Sequence, residues 1–529
     1  MKKIFTLIMT VACSALTAWA TDYTGNLAVV VNDSPADPQK TVISVENTAA
    51  NTYRLVLDNF ILETEETTIP VGKIELTNVS GTDENGVIKL SSTQNIIVEA
   101  GSDDSQDWLG PILLQDPIPV TLMATIAGDI LKANIDIPFG EMSIKVFFSS
   151  AVYQIPNSDF ELFHKENSTI DEPNHWHSFA SCTGTLAGIV KGTAHTFVSE
   201  EVRPNTVGSK SLLVKATKTL GVVANGTVTT GRMNAGSMSA SDTKNHAFLD
   251  LSNTDKDNNG DPFYTVLNGR PDAVKVWVKF KQATAQASYP YATVNAVITD
   301  GSRYQDPENK TYRNVVAKAT NAKIETNDFA WQELTIPFKY EENDVEGKAI
   351  LVTISTNATP GQGSNGDELY VDDLSLVYNA GLANLSVFGT PVSGFTTDNT
   401  TYAITVDKLP TASDIVATPL NTNAQTAVYI KDKTVTVITF GEDLMSSKSY
   451  ILNLTVNTGI EEVKTADNQQ VTGIYNLNGQ RVNEQVKGQV YITKYADGST
   501  VKTIGKYTLV LKIQRCVALT LLRAFLGRV

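Results

Sequence analysis

The sequence predicts an all-β protein: an up-and-down barrel, then a jelly-roll β-sandwich, then a small immunoglobulin- or cadherin-like sandwich. Three observations predict it. Apolar residues recur with a period of two in run after run, as in Leu131, Ala133, Ile135 and Ile137 against Lys132, Asn134 and Asp136. That spacing sends alternate side chains to opposite faces of a strand. Polar turns such as Ala127-Gly128-Asp129 and Thr82-Asp83-Glu84-Asn85-Gly86 separate the runs. Finally, Asn157-Ser158-Asp159-Phe160-Glu161 and Gly366-Asp367-Glu368-Leu369-Tyr370-Val371-Asp372-Asp373 bracket a long stretch as the first and last strands of a sandwich would.

Residues 1–20 read as a secretory leader: Lys2 and Lys3, an apolar run from Ile4 to Leu16, and Ala18-Trp19-Ala20 as a small-x-small cleavage site. Thr10 stands where a lipobox before Cys13 would carry Leu or Val. The 529-residue chain has a formal charge of −15, and losing Lys2 and Lys3 makes it −17. So acidic a surface excludes nucleic acid and anionic lipid as natural partners. Of the three cysteines, Cys182 and Cys516 follow the leader in separate segments, so no disulfide framework is expected.

Residues 21–152 form the barrel. Tyr53, Leu55 and Leu57 alternate with Arg54, Val56 and Asp58, and Met142, Ile144, Val146 and Phe148 alternate around Lys145. Eight or so such runs with short meander turns fit an up-and-down closure. Their order, from Tyr23-Thr24-Gly25-Asn26-Leu27 to Ile135-Asp136-Ile137, resembles the calycin-like barrel domain of Bacteroidetes secreted proteins. Leu27 occupies the position of the first-strand Trp of true lipocalins. A packed spacer and a barrel with a small apolar ligand both remain open.

Residues 153–380 carry all five histidines (164, 175, 177, 195 and 246). Thr230-Gly231-Arg232-Met233, Gly260-Asp261-Pro262-Phe263 and Arg270-Pro271-Asp272 precede the strand Lys275-Val276-Trp277-Val278-Lys279-Phe280. With the ending at Tyr370-Val371-Asp372-Asp373, this succession resembles the carbohydrate-metabolism domain family of gut Bacteroidetes, a galactose-binding-like sandwich. The resemblance implies carbohydrate association and no particular reaction.

Trp277 is the first candidate for sugar contact. In an extended strand Val274, Val276, Val278 and Phe280 face one way, while Lys275, Trp277, Lys279 and Lys281 face the other. A Trp among lysines is either covered by a loop or offered to the C–H face of a pyranose. Trp331 and Trp176 read as core. His175 and His177 flank Trp176 on one strand face, as donors to sugar hydroxyls or as exposed polar residues; two His at i and i+2 can also ligate zinc, but no third ligand is indicated nearby. Two cation sites are expected, both as structural calcium. One draws Asp159 or Glu161 together with Asp372 or Asp373; the other is the loop Asp255-Lys256-Asp257-Asn258-Asn259-Gly260, with oxygens at positions 1, 3 and 5 and Gly at 6. Val266 replaces the bidentate Glu of an EF-hand, and an Asn/Asp/Gly-rich hairpin is the alternative. Acids for glycoside hydrolysis are present (Asp300, Glu333, Asp159, Glu161), but their separation is not legible in a sequence, and no catalytic residue is assigned.

Residues 381–458, from Leu382-Ala383-Asn384-Leu385 to Tyr450-Ile451-Leu452-Asn453-Leu454, resemble the cadherin-like sandwich repeats of bacterial surface proteins, and contain no His, Trp or Cys. Residues 459–507, with Tyr475-Asn476-Leu477-Asn478-Gly479, resemble the C-terminal sorting-type domain of Bacteroidetes exported proteins, which implies an outer-membrane export machinery as partner. Residues 508–529 are a basic, Leu-rich tail, too charged to be a membrane span. The expectation is a secreted or cell-surface glycan-binding protein, with the periplasm as the alternative location. A glycoside hydrolase and a structural adhesin are the alternative functions.

Overall fold

The computed structural model describes residues 20–63, 68–139, 142–219, 221–342, 345–457, 471–496 and 498–504. Residues 1–19 of the leader expected over 1–20, and the tail 508–529 with Cys516, lie outside the described residues. Strand takes 53% of the chain and helix 3%, so the protein is nearly all-β. Among the described residues no helix is long and apolar enough to cross a membrane. Two compact units divide at Thr455.

The first unit opens with a closed barrel of eight antiparallel strands: Ala20–Val31, Gln39–Ala49, Thr52–Glu63, Thr68–Glu84, Val87–Ile96, Ile118–Ala127, Ile130–Phe139 and Met142–Ser149. Each pairs with its neighbour in sequence, and the ring closes where Leu27 lies opposite Phe148. Closure leaves no unpaired edge. The interior is filled by Leu27, Val29, Leu55, Val79, Leu122 and Phe148 among others, the inward members of each alternation. Gly25 sits at the seam, where an added Cβ would stand 2.2 Å from the carbonyl oxygen of Ser149. Gly25→Ala is therefore expected to cost about 2 kcal/mol by overpacking, read as a lowered melting temperature; an unchanged melting temperature would show that the seam can yield.

The jelly roll follows as two five-stranded sheets. The first orders Thr196–Ser199, Ser211–Lys215, Glu368–Val377, Ala273–Lys281 and Gln332–Pro337; the second orders Thr227–Thr229, Ala349–Ser355, Ala292–Thr299, Val315–Ile324 and Lys339–Tyr340. Val274, Val276, Val278 and Phe280 of the first face Val294, Ile350, Val352 and Ile354 of the second in one fully buried core. The opening and closing segments lie side by side, because Leu374 N donates to Ser158 O at 2.8 Å and Gln154 Nε2 donates to Leu376 O at 2.7 Å. Trp176 plugs this end with no exposed surface.

The small sandwich packs Leu382–Val387, Thr390–Pro391 and Ile415–Pro419 on Thr401–Val406, Ser447–Val456, Thr434–Phe440 and Gln425–Lys431, around Leu385, Val435, Val437, Tyr450 and Leu452. It is no free appendage. Ala28, Val30 and Phe147 on the outside of the barrel form a second buried cluster with Ala427, Ile438, Phe440 and Leu444 of the sandwich. Glu442 also ties the sandwich to the jelly roll, accepting from Arg270 N at 2.7 Å and from Asn423 Nδ2 at 2.9 Å. Beside that junction, within the jelly roll, Tyr378 O–H donates to Tyr153 O at 2.8 Å.

The second unit is a three-stranded sheet of Val471–Asn476, Val490–Tyr495 and Thr500–Ile504. Its turn closes where Gly479 N donates to Asn476 O, with Gly479 at φ 78°.

Candidate functional site: a cleft on the second jelly-roll sheet

Along Ala292–Thr299, Ala292, Val294, Ala296 and Ile298 turn into the core, so Thr293, Asn295 and Val297 turn out. The outer face they share divides in two. One half is closed by the small sheet of Arg232–Ala235, Asn245–Phe248 and Gln305–Asp306, whose Met233, Ala247 and Tyr304 pack on Val297, Ala349 and Leu351. The other half is open as a cleft of about 490 Å³ with a floor of Thr227, Thr293, Asn295, Thr320, Thr353 and Ser355 and an apolar wall that includes Leu186, Ile189, Val222 and Met238. That volume falls within the range of small-molecule sites, about 300–1,000 Å³.

Two carboxyl groups stand at its edge, delivered by the short strand Gln305–Asp306 and the residues after it. Asn295 Nδ2 donates to Asp306 Oδ2 at 3.0 Å, and Asn295 Oδ1 accepts from Thr320 Oγ1 at 2.5 Å. Tyr304 O–H and Lys318 Nζ both donate to Glu308 Oε1, at 3.1 and 2.6 Å. Burial pushes Asp306 above the usual carboxylate range, with its hydrogen bond from Asn295 opposing that shift. His246 gives Nδ1–H to Thr243 O at 2.9 Å, leaving Nε2 buried and unpartnered, and burial lowers its pKa so that the ring is neutral. The cleft thus offers amide, hydroxyl, carboxyl and imidazole groups on one side and aliphatic surface on the other, an arrangement able to hold a polyhydroxylated ring by its edges and by a face.

No motif in the sequence singles out these residues. The available signal was Tyr304-Gln305-Asp306-Pro307-Glu308, where two acids two positions apart flank a proline that forbids a helix. Nothing in it says that Asn295 and Lys318, on other strands, would meet them.

The residues singled out from the sequence lie elsewhere. Trp277 is half-buried on the outer face of the first sheet, with the Arg203 guanidinium 5.5 Å from its ring centroid. Its lysine neighbours are engaged: Lys275 with Glu333, Lys279 with Glu201 and Lys281 with Glu368. Trp331 is half-buried there too, edge-on to Tyr370 at 6.4 Å. Asp159 is exposed. Glu161 Oε1 accepts from the backbone N–H groups of Ser209 and Lys210, both at 2.9 Å. Asp372 Oδ2 accepts from Arg203 N at 2.9 Å, and Asp373 Oδ2 from Arg203 Nε at 2.5 Å and Thr206 Oγ1 at 3.1 Å. These carboxylates grip the 203–210 loop from two sides, where the sequence suggested a shared cation. Asp300 accepts from Ser302 as a turn residue.

His175 and His177 do not share a strand face, because Asn174 and His175 form a turn with His175 at φ 66°. The His175 side chain is partly exposed beside Asp261, with Nδ1 to Oδ1 at 3.3 Å, whereas His177 is fully buried. In the 255–261 loop the three expected oxygens separate. Asp255 pairs with Arg232 at 2.7 Å, and Asn259 Nδ2 donates to Asp261 Oδ2 at 2.9 Å. Asp257 alone turns inward, its Oδ1 accepting from Asn259 N and Asp261 N at 2.9 and 2.8 Å.

Barrel, clefted jelly roll and small sandwich together define a multidomain β-protein. Within it, residues 19–151 match the family described as a calycin-like beta-barrel domain. No curated protein matches the chain. Among solved structures it is similar to a Bacteroides thetaiotaomicron protein described as a "putative glycoside hydrolase", at 13% identity and TM-score 0.31, covering 63% of this chain and 99% of that one. It is also similar to carbohydrate-binding modules of the β-sandwich superfamily, at 10% identity and TM-score 0.19, covering 66% of this chain and 98% of that one. A third similarity is to the M60 catalytic domain with its CBM51-1 and CBM51-2 domains from Clostridium perfringens ZmpB, at 11% identity and TM-score 0.15, covering 90% of this chain and 45% of that one.

Proposed function

We propose that this protein binds carbohydrate, and that the cleft on the outer face of the second jelly-roll sheet is where it does so. The observation that carries this reading is the pairing of the polar floor with Asp306 and Glu308 at the edge and an aliphatic wall opposite. Carboxylates and amides bind vicinal hydroxyls in pairs, and a pyranose also has an apolar face to bury. The leader expected over residues 1–20 and the sorting-type resemblance of 459–507 support a secreted or cell-surface location.

A glycan array probed with the mature chain tests it. Binding to defined glycans is expected, with Glu308→Gln weakening it about tenfold, the scale of one charged hydrogen bond, and leaving the melting temperature close to wild type because Glu308 is solvent-exposed. An array without hits favours the structural adhesin reading and overturns this one, as does binding indifferent to Glu308→Gln and Asn295→Ala together.

One observation favours a second reading, glycoside hydrolysis. Burial pushes the Asp306 carboxyl above its ordinary range, while Glu308 beside it is paired with the Lys318 cation; two carboxyl groups in contrasting surroundings are what an acid and its partner require. Release of reducing ends from the array hits, lost in both Asp306→Asn and Glu308→Gln, would establish it.

A further inference from the structure

Strand register lays out the floor of the cleft. Asn295 stands opposite Thr353 on one side and Thr320 on the other; one row along, Thr293 stands opposite Ser355, which in turn pairs with Thr227. These groups use their protons on one another. Thr320 O–H donates to Asn295 Oδ1 at 2.5 Å, and Asn295 Nδ2 donates to Asp306 Oδ2 at 3.0 Å. Thr227 Oγ1 lies 3.4 Å from Asn225 O and 3.2 Å from Ser355 Oγ, so these two hydroxyls have that carbonyl and each other to donate to. Thr353 Oγ1 is buried with no hydrogen-bond partner. What the floor and its edge still offer is mostly lone pairs, on Thr320 and Ser355 and on the Asp306 and Glu308 carboxyl groups. Lys318 is the one Lys or Arg among the described residues lining the cleft, and Glu308 holds it at 2.6 Å. The wall adds Ile189 and Met238, which are apolar yet 47% and 48% exposed.

We infer that the cleft selects an N-acetylated hexosamine; the inference rests on the carbohydrate reading above and names the sugar class within it. A floor of acceptors calls for a ligand group that donates without needing to accept. An amide N–H is such a group, whereas each hydroxyl brings lone pairs of its own. An aliphatic wall calls for an apolar substituent, and the acetyl methyl lies two bonds from that nitrogen. The acetyl carbonyl finds donors in the second Asn295 Nδ2 proton and in the unpartnered Thr353 hydroxyl. Other ring substituents meet only part of this pattern. The methyl of a 6-deoxyhexose brings no donor with it. The ammonium of a free amino sugar would lose hydration against aliphatic surface. A carboxylate or sulfate would face Asp306 and Glu308 while the cleft's cation is already paired. The acetamido group satisfies floor and wall together.

Isothermal titration of the mature chain with methyl β-glycosides tests the choice: N-acetylglucosamine and N-acetylgalactosamine against glucose, galactose, glucosamine and glucuronic acid. At least one N-acetylated glycoside is expected to bind on the order of tenfold more tightly than its parent hexose, the scale of one buried methyl with one hydrogen bond. Ile189→Ser combined with Met238→Ser should lower that preference about fourfold, one methyl's worth. Both positions are half-exposed, so the melting temperature should stay near wild type; if the pair does not fold, Met238→Ser alone gives the same readout. Where the glycosides bind too weakly to titrate, the glycan array decides: hits lost on chemical de-N-acetylation support the inference, and hits free of N-acetylhexosamine overturn it. Equal affinity for N-acetylated and parent glycosides, both weakened by Glu308→Gln, overturns it and leaves the carbohydrate reading standing. Tighter binding of glucosamine or glucuronic acid does the same, as does an N-acetyl preference that the wall variants leave unchanged. If no glycoside binds and the array is empty, the carbohydrate reading falls and this inference falls with it.

Discussion

Trp176→Ala is expected to destabilise the jelly roll by about 3–5 kcal/mol, the range for removing a buried tryptophan. The indole has no exposed surface, lies 5.1 Å from the Phe160 ring, and donates Nε1–H to Pro156 O at 3.3 Å. Truncation would leave a cavity at the point where the opening segment joins the closing strand, with the Pro156 carbonyl losing its donor. Trp176→Phe should recover part of the loss by refilling the space without the hydrogen bond. Denaturant unfolding followed by circular dichroism reads both. A change below about 1 kcal/mol for the alanine variant would mean that the site collapses freely and that Trp176 does not fasten this end.

Asp443→Asn is expected to stabilise the protein at neutral pH by up to about 3 kcal/mol, and hardly at all near pH 4. Asp443 is buried at the junction between sandwich and jelly roll, and burial, reinforced by neighbouring Glu442, pushes its pKa up to about 6. A carboxyl raised in the folded state binds its proton more tightly there than when unfolded. Stability is therefore greatest below about pH 4, falls as pH rises through 6 and is level above. The amide carries no charge and keeps an oxygen for Met445 N. Melting temperatures of both proteins at pH 4 and 7.5 decide the matter, since the difference between variants cancels the histidines, which titrate in both. An equal shift at the two pH values would show that the effect is packing and not proton linkage.

How much of this was legible in the sequence depends on whether the information was local. Val274, Val276, Val278 and Phe280 face the core as their spacing requires, because a strand's period is fixed by its backbone. The same rule put Trp277 on the other face correctly, but it could not show that Arg203, more than seventy residues earlier, would lie over the ring. Val30 and Phe147 show the limit from another direction: they are outward positions of a barrel, yet buried, because a domain roughly three to four hundred residues further on covers them. The cleft is likewise made of residues from separate strands and loops. Asp257 was recognised within its loop, but its neighbours His164 and His177 come from a hairpin and a bend whose meeting with that loop no spacing encodes. His175 and His177 read as a pair only until Asn174 and His175 turned.

The Phe147–Phe440 contact, with ring centroids 5.7 Å apart, has a bearing on inheritance. Domains of modular proteins are often treated as cassettes that recombination can move singly. A barrel lifted from this protein would carry Ala28, Val30 and Phe147 bare into its new host, an adhesive patch that invites aggregation. A sandwich moved alone would expose Ile438 and Phe440 in the same way. The three domains are therefore constrained to travel together, with substitutions on one side of the patch answered on the other, and the jelly roll between them is free to vary its cleft without being free to leave.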